Sequence, residues 1–282
     1  MHICSHSNDV RQRVAMWQGE GLSVGLVPTM GYLHRGHASL IEAAARENDR
    51  VVVSIFVNPL QFGATEDLAS YPRDLSRDTE VCRQGGASLI FNPSPDELYP
   101  EGFCSYVNME GGPSLGLCGA SRPGHFRGVC TVVAKLLHLV QPHRAYFGQK
   151  DAQQLAVIRR MVLDLNLPTA IVGCPIVREP DGLALSSRNS YLSAEERRAA
   201  LCIYEGLLAG KSLVEAGEAG TEAVLRAVST RIEAEPLARI DYLALVDPLD
   251  MRPVQTLNEP ALCATAVYIG TTRLIDNLLL KS

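Results

Sequence analysis

Apolar positions along this chain fall into two kinds of run, and the two alternate. Short, nearly unbroken apolar stretches at residues 22–27, 51–57, 87–91, 145–147 and 170–172 predict strands. The second, Val51-Val52-Val53-Ser54-Ile55-Phe56-Val57, is β-branched and apolar on both faces, as a central parallel strand is. Between the strands, apolar residues recur at helical spacing. They do so at Val10, Val14 and Trp17 after the Ser7-Asn8-Asp9 cap, at Leu40, Ile41, Ala44 and Ala45, and through 126–140 and 152–165. Strand and helix in alternation predict right-handed crossovers and an α/β fold: a Rossmann-like parallel sheet with helices on both faces. Ligands of such sheets bind beyond the carboxyl ends of the strands.

The pattern changes near Arg178. Glu179-Pro180-Asp181-Gly182 is a turn-rich connection, and Ser193-Ala194-Glu195-Glu196 carries a capping-box pattern. Helices at 194–216 and 222–235 and strands at 240–245 and 265–269 complete a smaller α+β C-terminal domain. The division expected is 1–176 and 177–282. Gly206-Leu207-Leu208-Ala209-Gly210-Lys211-Ser212 imitates a P-loop, but only three residues separate its glycines where four are required. It also lies in an apolar-periodic helix with Leu201, Tyr204, Leu207 and Leu208. No G-x-G-x-x-G follows a strand, and there is no G-x-S-x-G elbow.

Composition narrows the classes. The 282 residues suffice for one large or two ordinary domains. Lys plus Arg number 26 against 31 Asp plus Glu, and this net charge of −5 argues against a nucleic-acid partner. No apolar run is long enough for a membrane span, and the N-terminus lacks a signal-peptide pattern. None of the eight cysteines forms a C-x-x-C pair, so neither a disulfide framework nor a zinc knuckle is expected, and the compartment indicated is the reducing cytoplasm.

Polar chemistry gathers where the predicted strands end. Pro28-Thr29-Met30-Gly31 turns the first strand into a helix that opens on His34-Arg35-Gly36-His37. A helix N-terminus offers unpaired N–H groups and positive dipole to an anion, and histidines three apart share one helix face. Gly36 leaves room for close approach of a ligand. Asn58 and Gln61 follow the second strand, and Gly148, Gln149, Lys150 and Asp151 follow the fourth, with Gln153 and Gln154 close behind. Lys150 suits phosphate oxygens, and the amides suit hydroxyls and carboxylates of a small substrate. Ser186, Ser187 and Arg188, in a polar loop after Leu185, suit further phosphate oxygens. Arg122, on a rigid turn with His125, is a candidate carboxylate holder. Asp74 and Asp78 are four apart on a predicted helix. A solvated face is the favoured reading of the pair, and Asp78 is the candidate ligand should Mg²⁺ be held there.

Taken in order, these blocks resemble the pantoate–β-alanine ligase family. The resemblance rests on residues 28–37, on Val53 to Phe62, on Ser121-Arg122-Pro123-Gly124-His125-Phe126-Arg127-Gly128-Val129, on 147–155 and 182–189, and on Arg273-Leu274-Ile275-Asp276-Asn277. It runs nearly the whole chain and places it among H-x-G-H nucleotidyltransferases. It implies ATP-dependent activation of pantoate as pantoyl adenylate with release of pyrophosphate. Attack by β-alanine then gives pantothenate and AMP. It implies ATP contacts at Met30, Gly31, Tyr32, Leu33, His34, Arg35, Gly36, His37, Gly148, Gln149, Lys150, Asp151, Val177, Leu185, Ser186, Ser187 and Arg188. It also implies pantoate contacts at Gln61 and Gln154, a proton donor at His37, Mg²⁺ and a homodimer. His34 and Lys150 join His37 as the catalytic group, and a lid over residues 180–189 is expected to exclude water.

Three positions depart from the family pattern. Arg35 stands where an acid is frequent, Gln149 where glutamate is common, and Asp74 where threonine is usual. None removes a phosphate-binding group. The competing readings are another acid-activating adenylyltransferase on this scaffold, a non-catalytic nucleotide-binding regulator and an RNA-binding protein. The Gln61/Gln154 pair, the intact Lys150 and histidines, and the net charge argue against them in turn.

Overall fold

The computed structural model describes residues 1–64 and 66–281. Contacts divide the chain into two units. One comprises Met1–Glu110, Arg122–Gln149 and Val157–Pro175; the other comprises Gly111–Ser121, Lys150–Ala156 and Ile176–Ser282. Two short segments, 111–121 and 150–156, group with the second unit.

The first unit is a six-stranded parallel sheet. Its strands are β1 (His2–Cys4), β2 (Val24–Thr29), β3 (Arg50–Ile55), β4 (Leu89–Phe91), β5 (Arg144–Gly148) and β6 (Ala170–Cys174), in the order β1-β4-β3-β2-β5-β6. The helices are α1 (Ser7–Gly19), α2 (Arg35–Glu47), α3 (Leu75–Gln84), the single turn α4 (Pro95–Leu98) and α6 (His125–Val140). Val51, Val53 and Ile55 pack with Leu40, Ile41 and Ala44 of α2 and Cys82 of α3. Val52 points the other way by strand alternation, and α1 and α6 run together against β2. The central strands of the sheet are therefore apolar and buried on both sides, which is why the sequence signal there is a continuous run.

Strand order reverses between β2 and β5. The chain leaves β2 toward one edge and β5 toward the other, and this opens a crevice at their carboxyl ends. β2 delivers the His34 turn there and β5 delivers Gly148 and Gln149.

The second unit is built on the antiparallel sheet β7 (Ala238–Val246), β8 (Ala261–Ile269) and β9 (Thr272–Leu280). α8 (Ala194–Ala199), α9 (Leu201–Glu215) and α10 (Thr221–Glu233) accompany it. Ile203, Leu207, Val228 and Ile232 cover one face of the sheet with Cys263, Val267 and Leu274. The expected single helix over 194–216 breaks at Ala200. The imitation P-loop lies within α9, where a Cβ on Gly206 would meet Ile232 at 2.9 Å and one on Gly210 would meet Val228 at 2.7 Å. These glycines let two helices approach closely.

The other face of this sheet carries Val246, Leu262 and Ala264, with Ala152 and Ala156 from α7 (Ala152–Asp164) and Leu117 from α5 (Leu117–Ser121). Gln153 ties the two inserted segments together. Its Oε1 accepts from the Cys118 N–H at 2.9 Å, and its Nε2 donates to the carbonyls of Pro113 and Gly116 at 3.0 and 3.1 Å.

Candidate active site

His34 is the N-cap of α2, and its role begins with the backbone. Its Nδ1 accepts the Gly36 N–H at 3.1 Å, while its own N–H donates to Nδ1 of His37 at 3.3 Å. This is a capping box made of two imidazoles. A neutral ring whose Nδ1 accepts carries its proton on Nε2. Both histidines are thereby held as Nε2–H donors, with ring centroids 4.1 Å apart. The donors stand on the first turn of a helix, where orphan N–H groups and the dipole already favour an anion.

Asp78 fixes the turn that precedes them. Its buried carboxylate accepts the N–H of Tyr32 at 2.9 Å and of Leu33 at 2.6 Å. Tyr32 sits at φ 50 and Gly31 at φ 83, left-handed conformations that this carboxylate stabilises. A Cβ on Gly31 would stand 2.9 Å from Asp78 Oδ2. Burial pushes the Asp78 carboxyl above its ordinary value, against the lowering effect of the two N–H bonds. Asp78 thus organises backbone at the start of α2. Asp74 caps α3 by accepting the Arg77 N–H at 3.0 Å, a task that serine, threonine and aspartate share. Its departure from threonine is therefore neutral in kind.

Gln61 lies in a 3₁₀ turn after β3, and its neighbours hold it rather than compete with it. Asn58 Nδ2 donates to Gln61 Oε1 and to the Gly128 carbonyl, each at 3.1 Å. Asn58 Oδ1 accepts from the Tyr99 hydroxyl at 2.7 Å. Asn58 is buried, and its amide is engaged by the scaffold in holding Gln61. Gln61 Nε2 points at Met30 Sδ, 3.0 Å away, which brings Gln61 beside the His34 turn.

Arg122 and His125 extend the same support. The Glu66 carboxylate takes Nε and Nη2 of Arg122, both at 2.7 Å. Arg122 Nη1 meets His125 Nε2 at 3.0 Å, and His125 Nδ1 meets the Gln61 carbonyl at 2.9 Å. Because a carbonyl only accepts, His125 Nδ1 donates and Nε2 receives from arginine. Burial acts to raise the Glu66 carboxyl, but the Arg122 bonds and charge outweigh it and hold the group below its ordinary value of 4.5. The guanidinium fork expected to hold a substrate carboxylate is thus already filled by Glu66.

In the second unit, Lys150 follows Gln149 in a 3₁₀ turn, with its ammonium 4.0 Å from Asp151. Gln154, on the first turn of α7, is half-buried. The segment 185–188, expected as a polar loop, carries local hydrogen-bonded structure. Ser186 accepts the Arg188 N–H at 3.3 Å as cap of a 3₁₀ helix over Ser187–Tyr191, and Leu185 N–H reaches the Val177 carbonyl at 3.0 Å. Arg35 and Gln149, the two departures in charge, are exposed.

The model of the family described as pantoate-beta-alanine ligase matches residues 2–279. The chain belongs to this family. It is a ligase, and the family match supports joining of pantoate and β-alanine. It is 59% identical over 270 residues to the pantothenate synthetase of Ruminiclostridium cellulolyticum, covering 96% of this chain and 95% of that one. It is 57% identical over 277 residues to that of Enterococcus faecalis, covering 98% of each. The crystal structure of pantothenate synthetase from Thermus thermophilus superposes with a TM-score of 0.93 at 49% identity, covering 100% of both chains. The pantoate-beta-alanine ligase of Francisella tularensis, complexed with beta-gamma ATP and beta-alanine, gives a TM-score of 0.81 at 36% identity, covering 99% of this chain and 97% of that one. No helix among the described residues is long and apolar enough to cross a membrane.

Proposed function

We propose that the ligase activates pantoate with ATP as pantoyl adenylate and then transfers the pantoyl group to β-alanine. A carboxylate oxygen of pantoate attacks the α-phosphorus, and the bond to pyrophosphate breaks. The amine nitrogen of β-alanine attacks the acyl carbon, the carbon–oxygen bond breaks, and AMP leaves with the oxygen that pantoate supplied. The observation that carries this reading is the paired imidazole cap of α2, which sets two histidines at a helix start just beyond the carboxyl end of β2. Charge gathers on phosphate oxygens as the first step proceeds, and fixed donors there stabilise it without reorganising. His37 is the proposed proton donor and His34 its partner.

The remaining assignments follow the resemblance. ATP is met by Met30 to His37 and by Gly148 and Gln149 in the first unit. In the second unit Lys150, Asp151, Val177, Leu185, Ser186, Ser187 and Arg188 are assigned to it. Gln61 and Gln154 are assigned to pantoate. The ammonium of β-alanine loses one proton to solvent before nitrogen attacks and a second as the amide forms, and AMP leaves as a stable anion, so the carbon–oxygen bond breaks without a protein base. Magnesium enters with the nucleotide as MgATP. Among the described residues no three His, Cys, Asp or Glu side chains gather to cage a metal, and Mg²⁺ commonly rests on substrate phosphates and water. A cytoplasmic homodimer completes the reading. The eight cysteines, all free, suit a reducing compartment, and sedimentation measures the subunit count.

Carboxylate-labelled pantoate tests the chemistry. With ¹⁸O in the carboxylate, product AMP should carry one labelled oxygen. Unlabelled AMP, with label in free phosphate or pyrophosphate, would refute acyl adenylation.

A further inference from the structure

We propose that Asp276 and Asn277, adjacent on β9, are positioning residues for two nucleotide-directed segments of the second unit; the inference rests on the adenylating reading above. Both side chains are buried, on opposite faces of β9 by strand alternation: Asp276 shares its face with the apolar Leu274 and Leu280, and Asn277 pairs across from Ala264 on the other. A sheet that needed only its core would be served by apolar residues at both places. The polar atoms instead reach out to the segments in question.

Asn277 Nδ2 donates to the carbonyl oxygen of Lys150 at 2.9 Å. Asp276 accepts both arms of Arg178, at 2.6 and 2.8 Å, and a third Arg178 contact goes to the Asn277 carbonyl at 3.3 Å. Arg178 begins a hairpin. It forms an isolated antiparallel bridge with Ala184, donates to the Gly182 carbonyl at 3.0 Å, and lies over the Tyr204 ring at 4.0 Å. The hairpin tip is pressed against the same tyrosine: Gly182 has φ +100, and a Cβ there would stand 2.2 Å from Tyr204. Holding Arg178 therefore holds the base from which Leu185, Ser186, Ser187 and Arg188 emerge. One dipeptide fixes the Lys150 backbone on one side and the 185–188 turn on the other. A buried bidentate pair is weak evidence of stabilisation in itself, but it is a good device for fixing geometry.

The test compares four variants of the full chain. Asn277→Leu keeps volume and removes the donor, and Asn277→Gln restores an amide. Asp276→Asn keeps shape and removes the charge. Val267→Ala, in the core of the same sheet, is the stability control. For each, kcat/KM for ATP, the thermal midpoint and ligand-free amide exchange of peptides 148–153 and 184–189 are measured. Asn277→Leu and Asp276→Asn should lower kcat/KM for ATP by about 10- to 100-fold, the scale of a displaced positioning group. Each should speed exchange in the peptide it anchors. Asn277→Gln should recover part of the loss. Val267→Ala, matched in thermal midpoint, should keep wild-type kcat/KM. If activity simply tracks the thermal midpoint across all four, or if exchange in both peptides is unchanged, the proposal is wrong. A wild-type enzyme that forms no adenylate refutes the adenylating reading instead, and the exchange comparison still decides whether the dipeptide holds these segments.

Discussion

Gly128 and Leu60 meet backbone to backbone: a Cβ on Gly128 would stand 2.3 Å from the carbonyl oxygen of Leu60. The contact seats the 3₁₀ turn carrying Gln61 on the first turns of α6. Alanine inside a helix ordinarily gains about 1 kcal/mol over glycine. Here the overlap with main chain reverses the sign. Gly128→Ala should lower the urea midpoint and raise the KM for pantoate, because the turn that presents Gln61 must move. A variant more stable than wild type, with pantoate KM unchanged, would contradict the assignment.

The Glu66–Arg122 pair gives a pH dependence with a definite sign. The folded Glu66 carboxyl lies below its unfolded value of 4.5. Its contribution to stability is therefore present above that value and lost as pH falls through the folded one. Urea midpoints measured from neutral pH into the acid range should fall less steeply in Glu66→Gln than in wild type. Parallel acid limbs would show that the pair does not support the Gln61 turn.

Lys150 and Arg35 are both cations assigned to ATP, yet they differ in setting. The Lys150 side chain is 19% exposed, while Arg35 is an exposed residue. A held charge that meets charge developing in the transition state is worth about 2–4 kcal/mol, by analogy with a lost oxyanion donor. Lys150→Ala should cost that much in kcat/KM, and Arg35→Ala far less because solvent screens it. Equal losses would overturn the distinction.

Residues 22–27 and 51–57 announce central strands because burial on both faces leaves an unbroken apolar signature. The α2 start is legible for a similar reason, since a turn, two histidines and a glycine coincide with the onset of helical periodicity. β1 is not legible: three residues, His2–Cys4, carry no period, and only pairing with Leu89–Phe91 makes them a strand. The supporting residues are hidden for a different reason. Asp78 reads as one acid in a polar helix, and its task is visible only once 45 residues of separation close to bring it onto the Leu33 N–H. Asn58 and Arg122 read as substrate contacts, whereas the structure gives them supporting tasks. Sequence shows which groups are polar, not whether a neighbour has already taken their hydrogen bonds. Gln153 shows the same limit, with its whole amide committed to the 111–121 segment.

In the proposed mechanism, phosphate-directed groups complete adenylation before the amine is needed. Exchange of labelled pyrophosphate into ATP, with pantoate and Mg²⁺ but no β-alanine, tests it most directly. The reading requires robust exchange under those conditions. It also requires a sharp fall when pantoate is replaced by an acid lacking both hydroxyls, because the amides assigned to them lose their partners. Exchange that appears only when β-alanine is added, or that proceeds equally with unrelated acids, would contradict it.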